Sequence, residues 1–167
     1  ADRFAGTGYA PRAALVAAVL MLDAGDAAGA RAQLTWVIDR AGETELKEIA
    51  RYRMAELLLN ERKYDEALAM LDAKHGDPFA ALYADLRGDA LFAAGRAADA
   101  RAAYQLAYSK FDEKSPYRSY VQVKLESLGG APAAQGTGSA AIALPPAGGA
   151  PAAAAPAPSP AAPSSAA

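Results

Sequence analysis

Three short stretches decide the fold: Gly25-Asp26-Ala27-Ala28-Gly29-Ala30, Arg62-Lys63-Tyr64-Asp65-Glu66-Ala67 and Gly95-Arg96-Ala97-Ala98-Asp99-Ala100. Each reads as a turn that ends in an alanine entering a helix. The alanines Ala30, Ala67 and Ala100 lie 37 and 33 residues apart, and four residues after each stands a large side chain, Leu34, Leu71 and Tyr104. Residues four apart share a helical face, so the alanine permits close approach and its neighbour fills the gap beyond. Twelve residues before each alanine comes another small residue, Ala18, Ala55 and Gly88. Gly88 is the most telling of these. Inside a helix it costs about 1 kcal/mol against alanine, which makes sense where another backbone lies close against it.

The stretches between these turns are rich in Ala, Leu, Glu, Arg and Lys and show no sustained two-residue alternation, so they read as helices. Before residue 129 the prolines are Pro11, Pro78 and Pro116. Each stands where a helix can begin, and Asp77-Pro78 and Ser115-Pro116 pair an N-cap residue with a proline at the first helical position. Helices are expected at about residues 11–23, 26–41, 44–60, 64–74, 78–94, 97–112 and 116–128. A repeat near 34 residues with two helices per unit is the spacing of a tetratricopeptide. The expected fold is therefore an all-α, tetratricopeptide-like helical solenoid of about three helix-turn-helix units over residues 10–128. Its last helix, with Tyr117, Tyr120, Val121, Leu125 and Leu128 on one face and Arg118, Lys124 and Glu126 mostly elsewhere, reads as a cap over the final apolar surface.

Composition divides the chain near Gly129. All charged and aromatic residues precede it, whereas residues 129–167 are almost wholly Ala, Pro, Gly, Ser and Thr. Such a tail has little to bury against the entropy of ordering, so disorder is expected there, and a spacer role rather than a ligand. Residues 1–9 read as an irregular leading segment. The net charge is −2 with both signs interspersed, as in Glu45, Lys47, Glu48 and Arg51, which disfavours nucleic acid as a partner. The absence of cysteine excludes thiol catalysis and disulfides. The longest apolar run, Ala13 to Leu22, is about half the roughly 18 residues that span a bilayer. A chain that begins at Ala1 without methionine suggests either processing or trimming, and both leave room for a signal or anchor ahead of it.

No constellation of catalytic, cofactor-binding or metal-ligating residues emerges, and no enzyme activity is expected. His75 has no metal-site or triad partners in any recognisable motif and reads as a solvated turn residue. Asp85 and Asp89, one helical turn apart, resemble a catalytic dyad but read as a solvated helix face. Trp36 lies among Leu34, Val37 and Ile38, so core packing fits it better than an interface role. In a solenoid the first helix of each unit lines the concave side. That assigns a partner-binding groove to Arg12, Leu15 and Val19 from the first unit, Tyr52, Glu56 and Asn60 from the second, and Asp85, Asp89 and Phe92 from the third. Leu15, Val19 and Phe92 serve either this groove or the packing between repeats. The carboxylates favour basic partner segments.

The segments Tyr9-Ala10 with Ala14-Leu15, Leu34-Thr35-Trp36-Val37, Ile49-Ala50-Arg51-Tyr52-Arg53-Met54-Ala55, Tyr64-Asp65-Glu66-Ala67-Leu68 and above all Asp85-Leu86-Arg87-Gly88-Asp89-Ala90 resemble the ancillary SecYEG translocon subunits of bacteria. That resemblance implies a transmembrane helix ahead of a periplasmic helical domain. It also implies two partners, the translocon and a periplasmic chaperone of the prolyl-isomerase type. The Ala/Pro tail is not part of the shared pattern. The alternative expectation is a generic tetratricopeptide adaptor with another partner, or a self-associating one that pairs, as a homodimer, through the apolar run Leu15 to Leu22.

Overall fold

The computed structural model describes residues 9–129; the expectations for residues 1–8 and for the tail from residue 130 fall outside them. The described residues form seven helices and no strand: α1 (Tyr9–Asp23), α2 (Ala27–Arg40), α3 (Thr44–Asn60), α4 (Tyr64–Leu71), α5 (Asp77–Ala93), α6 (Ala97–Lys110) and α7 (Pro116–Ser127). Each helix packs on the next, and α3 also touches α1 and α5. First helices therefore stack on first helices, which is the solenoid arrangement.

The three quoted turns have one structure. Gly25, Arg62 and Gly95 adopt left-handed backbone with φ of +79°, +61° and +78°. The amides of Asp26, Lys63 and Arg96 donate back to the carbonyls of Met21, Leu58 and Leu91 at 2.8, 2.9 and 2.8 Å. Those of Gly25, Arg62 and Gly95 donate to Leu22, Leu59 and Phe92. These paired bonds satisfy the last carbonyls of α1, α3 and α5 and turn the chain into the second helix of each unit. Arg62 alone carries a side chain in that conformation, which costs about 1–2 kcal/mol. Arg62→Gly removes the strain but adds about 0.4–1 kcal/mol of unfolded-state entropy. The variant is expected to be about 0.5–1 kcal/mol more stable, seen as a raised melting temperature. No gain would mean that arginine recovers the strain through contacts of its own.

The small residues of the sequence pattern are all buried: Ala18, Ala55 and Gly88 on the first helices, Ala30, Ala67 and Ala100 on the second. So are Leu34, Leu71 and Tyr104. What lies against Gly88, however, is not a backbone. A Cβ there would sit 2.9 Å from Cζ of Tyr104 and closer still to Cε1 and Cδ1. Two core clusters result, one running from α1 to α5 and one from α4 to α7, with Leu59 packed against both. Trp36 is half-buried against the first cluster, as expected of a packing residue.

Most boundaries differ from the expected ones by one to three residues, and three of the differences are informative. Helix α1 begins at Tyr9, with Pro11 buried inside its first turn. Helix α5 begins at Asp77 with Gly76 as N-cap, so Asp77 is in the first turn rather than capping it. Helix α4 stops at Leu71, three residues short. Tertiary contacts pull the following chain away from the helical path. The buried carboxylate of Glu48 accepts a 2.9 Å bond from the Gly76 amide, Arg87 pairs with Asp72, and the His75 ring packs on Tyr83 with centroids 4.4 Å apart. His75 is thus half-buried, not a solvated turn residue.

Candidate partner-binding groove

The first helices bring together a polar cluster, built from α5 outward. Asp85 and Asp89 are one turn apart on α5 and share a face. The Lys124 ammonium, from α7, lies 2.8 Å from Oδ1 of both residues and 2.9 Å from Oδ2 of Asp89. The Tyr104 hydroxyl donates to Asp89 Oδ1 at 2.7 Å, and its ring lies under the Lys124 ammonium, 5.3 Å from the centroid. On α3, Tyr52 stands beside this cluster, near enough to feel the charges of Glu56, Asp85 and Asp89. Glu56 itself pairs with Arg53 at 2.8 Å.

Burial and charge set the protonation states. Desolvation raises the Asp85 carboxyl, only partly offset by the hydrogen bond and charge of Lys124. Desolvation opposes the Lys124 ammonium, yet Asp89 and Asp85 more than reverse it and leave the group harder to deprotonate. Tyr52 and Tyr104 are raised by burial first and by neighbouring carboxylates next. Both phenols stay protonated and act only as neutral hydrogen-bonding groups. Two carboxylates against one ammonium leave a net negative charge in half-buried surroundings. That arrangement can hold a cation. Among the described residues no group of three or more His, Cys, Asp or Glu side chains converges as a metal site would require.

Next to the cluster, Leu22, Glu56, Leu57, Leu59, Asn60 and Leu86 line an open cavity of about 350 Å³. Of the nine expected groove residues, then, Tyr52, Glu56, Asp85 and Asp89 are brought together, and Glu56 and Asn60 border the cavity. Val19 and Phe92 are exposed. Leu15 is half-buried against the first core. Arg12 is tied to Glu43 by bonds of 2.6 and 3.0 Å. Lys124 and Tyr104 were not expected in the groove. In sequence Lys124 falls off the apolar face of the last helix, but its long stem carries the ammonium across to α5. Nor does α7 turn all its apolar residues inward. Val121 and Leu125 are buried, while Tyr117 and Tyr120 face out, Tyr117 stacked on Phe111 with centroids 6.0 Å apart.

A family model described as a tetratricopeptide repeat-like domain matches residues 1–130. The chain belongs to this family. Over 119 residues it is 34% identical to the ancillary SecYEG translocon subunit of Neisseria gonorrhoeae, covering 71% of this chain and 57% of that protein. Over 131 residues it is 31% identical to the ancillary SecYEG translocon subunit of Escherichia coli, covering 77% and 63%. The chain thus spans about three-fifths of the length of the curated relatives it matches. No solved structure matches it. No helix among the described residues is long and apolar enough to cross a membrane.

Proposed function

We propose that this tetratricopeptide-like domain is a non-catalytic protein-binding scaffold working with the Sec translocon. The concave cluster of Tyr52, Glu56, Asp85 and Asp89 carries the reading: carboxylates in half-buried surroundings beside an apolar cavity suit a protein segment that offers a basic and an aliphatic side chain. The names of the relatives supply the setting. In this reading the domain stands on the periplasmic face of the inner membrane, in a parent protein anchored by an N-terminal helix. It links translocon subunits to a periplasmic prolyl-isomerase-type chaperone. Arg12, Leu15, Val19 and Phe92 extend the same surface. A photo-crosslinking residue at Asn60 of the full-length protein in native membranes is expected to trap a translocon subunit or such a chaperone, and Tyr52→Ala to weaken the product severalfold. Membranes that yield neither product would refute the assignment.

A second reading, self-association, draws on α1. Tyr9, Val16 and Leu20 are exposed large apolar residues spaced along one face of that helix. Light scattering tests it. A mass that rises with concentration in the parent and stays monomeric in Leu20→Glu supports pairing through α1, whereas a constant monomer mass in both rules it out.

A further inference from the structure

The left-handed residues that close the first helices, Gly25, Arg62 and Gly95, have a fourth member in Gly129, with φ of +71° and 34 residues after Gly95. Helix α7 is therefore the first helix of a fourth unit whose second helix is missing among the described residues. Seven residues before each closing residue stand Ala18, Ala55, Gly88 and, in α7, Gln122. The first three are buried; Gln122 bonds instead to Glu126 of its own helix at 3.0 Å. Among the described residues nothing packs over α7, and its Tyr117, Tyr120 and Val123 are 58%, 68% and 55% exposed.

Among the described residues helix α7 is thus held from one side. Its buried side chains are Val121 and Leu125, joined by the half-buried Leu128 in the second core. Its polar anchor is Lys124 on Asp85 and Asp89. The fit is incomplete. Arg118 stacks on the Tyr108 ring at 4.3 Å, yet its Nε is buried without an acceptor and its ion pair, to the exposed Glu113, spans 3.8 Å. A helix of 12 residues has little stability of its own, and segments with few buried contacts are the first to open.

We propose that α7 is a displaceable internal ligand: the shelf beneath it on α5 and α6 binds an amphipathic helix of a partner protein carrying two aliphatic residues four apart with a lysine or arginine just before the second. That is the pattern Val121, Lys124 and Leu125 presents from within the chain. Charge selects this occupant. Asp85 and Asp89 together outweigh one ammonium, so a helix with a carboxylate at the same place is repelled. The proposal rests on the reading of the concave surface as a partner-binding face and adds that the chain's own last helix competes for it.

A fluorescent peptide of residues 116–129, titrated into the full chain and followed by anisotropy, tests this. Weak binding is expected to the parent and at least tenfold tighter binding to Lys124→Glu, whose own α7 is repelled from Asp85 and Asp89. The peptide with Glu at position 124 should not bind, and Asp85→Asn/Asp89→Asn in the chain should abolish the preference for the lysine form. In hydrogen exchange the α7 amides should open at least tenfold more often than those of α5. The α5 and α6 amides of Lys124→Glu, protected as in the parent, verify that this variant keeps its fold. No binding to the folded variant, equal affinity for the Lys and Glu peptides, or α7 protected as strongly as α5 each overturns the proposal. Translocon crosslinks that persist alongside such a result would leave the broader reading standing.

Discussion

Gly88→Ala is expected to lower the unfolding free energy by about 3 kcal/mol, measured as a drop in the urea midpoint at unchanged slope. In an exposed helix interior the same change would stabilise by about 1 kcal/mol. Here the new methyl group meets the Tyr104 ring inside contact distance. The ring has little room to yield. Tyr104 is buried, and its hydroxyl is fixed to Asp89 at 2.7 Å, in the cluster that also holds Lys124. Overpacking of this kind costs about 1–3 kcal/mol, and losing a hydrogen bond to a charged acceptor adds about 1.5–3 kcal/mol. Both exceed the gain in helix propensity, so the sign is settled by packing. The double variant Gly88→Ala/Tyr104→Leu, in which the ring is absent, should be no less stable than Tyr104→Leu alone. Full stability in Gly88→Ala would show that the ring can move aside and that the glycine serves no packing purpose.

That glycine illustrates how much of the molecule is legible in its sequence. The pairing of a small residue on one helix with a large one on the next is written at fixed spacing, so Ala18, Ala55, Gly88, Ala30, Ala67 and Ala100 announce the solenoid without any knowledge of coordinates. What the spacing does not reveal is the atom that fills the vacancy; a close backbone and a tyrosine ring leave the same mark in the sequence. Features that depend on contacts far along the chain are similarly silent. The early end of α4 follows from Glu48 capturing the Gly76 amide, 28 residues away, and local helix propensity carries no trace of it. The groove is partly legible, because Tyr52, Glu56, Asp85 and Asp89 repeat at helical spacing on successive first helices. Lys124 escapes this counting: its position in the repeat corresponds to buried Leu57 and Ala90, and only the length of a lysine stem lets such a position reach a neighbouring helix. Gly129 was the available signal, since its spacing from Gly95 marks α7 as a first helix and hence a neighbour of α5.

Tyr83→Ala is expected to cost about 4 kcal/mol, the usual scale for truncating a buried aromatic residue, and to do so at the junction of both the fold and the groove. Tyr83 is among the largest fully buried side chains, and three rings surround it: His75 at 4.4 Å, Tyr52 at 6.0 Å and Phe79 at 6.4 Å between centroids. Its hydroxyl donates to the Glu48 carbonyl at 2.7 Å, on the same residue whose carboxylate holds Gly76. Tyr83→Phe keeps the ring and removes only the hydroxyl's bond to that carbonyl, which lies inside helix α3 and keeps its helical donor, so its cost should be only about 1 kcal/mol. Equal losses in the two variants would assign the site to its hydrogen bond and refute the packing account. Alkaline titration separates them further. Burial, with Arg51 lowering and Glu48 raising in turn, pushes the Tyr83 phenol up to about 12 from 10.0. A folded-state pKa above the unfolded one gives stability that is fully present below about pH 10 and lost as the pH rises to about 12. Tyr52 and Tyr104 are shifted in the same direction, so Tyr83→Phe should flatten the alkaline loss in part rather than abolish it. Because Tyr52 leans on Tyr83, the alanine variant should also weaken partner crosslinking from Asn60, and the phenylalanine variant should not. A groove that binds equally well without the ring would mean that Tyr52 holds its place without support from the core.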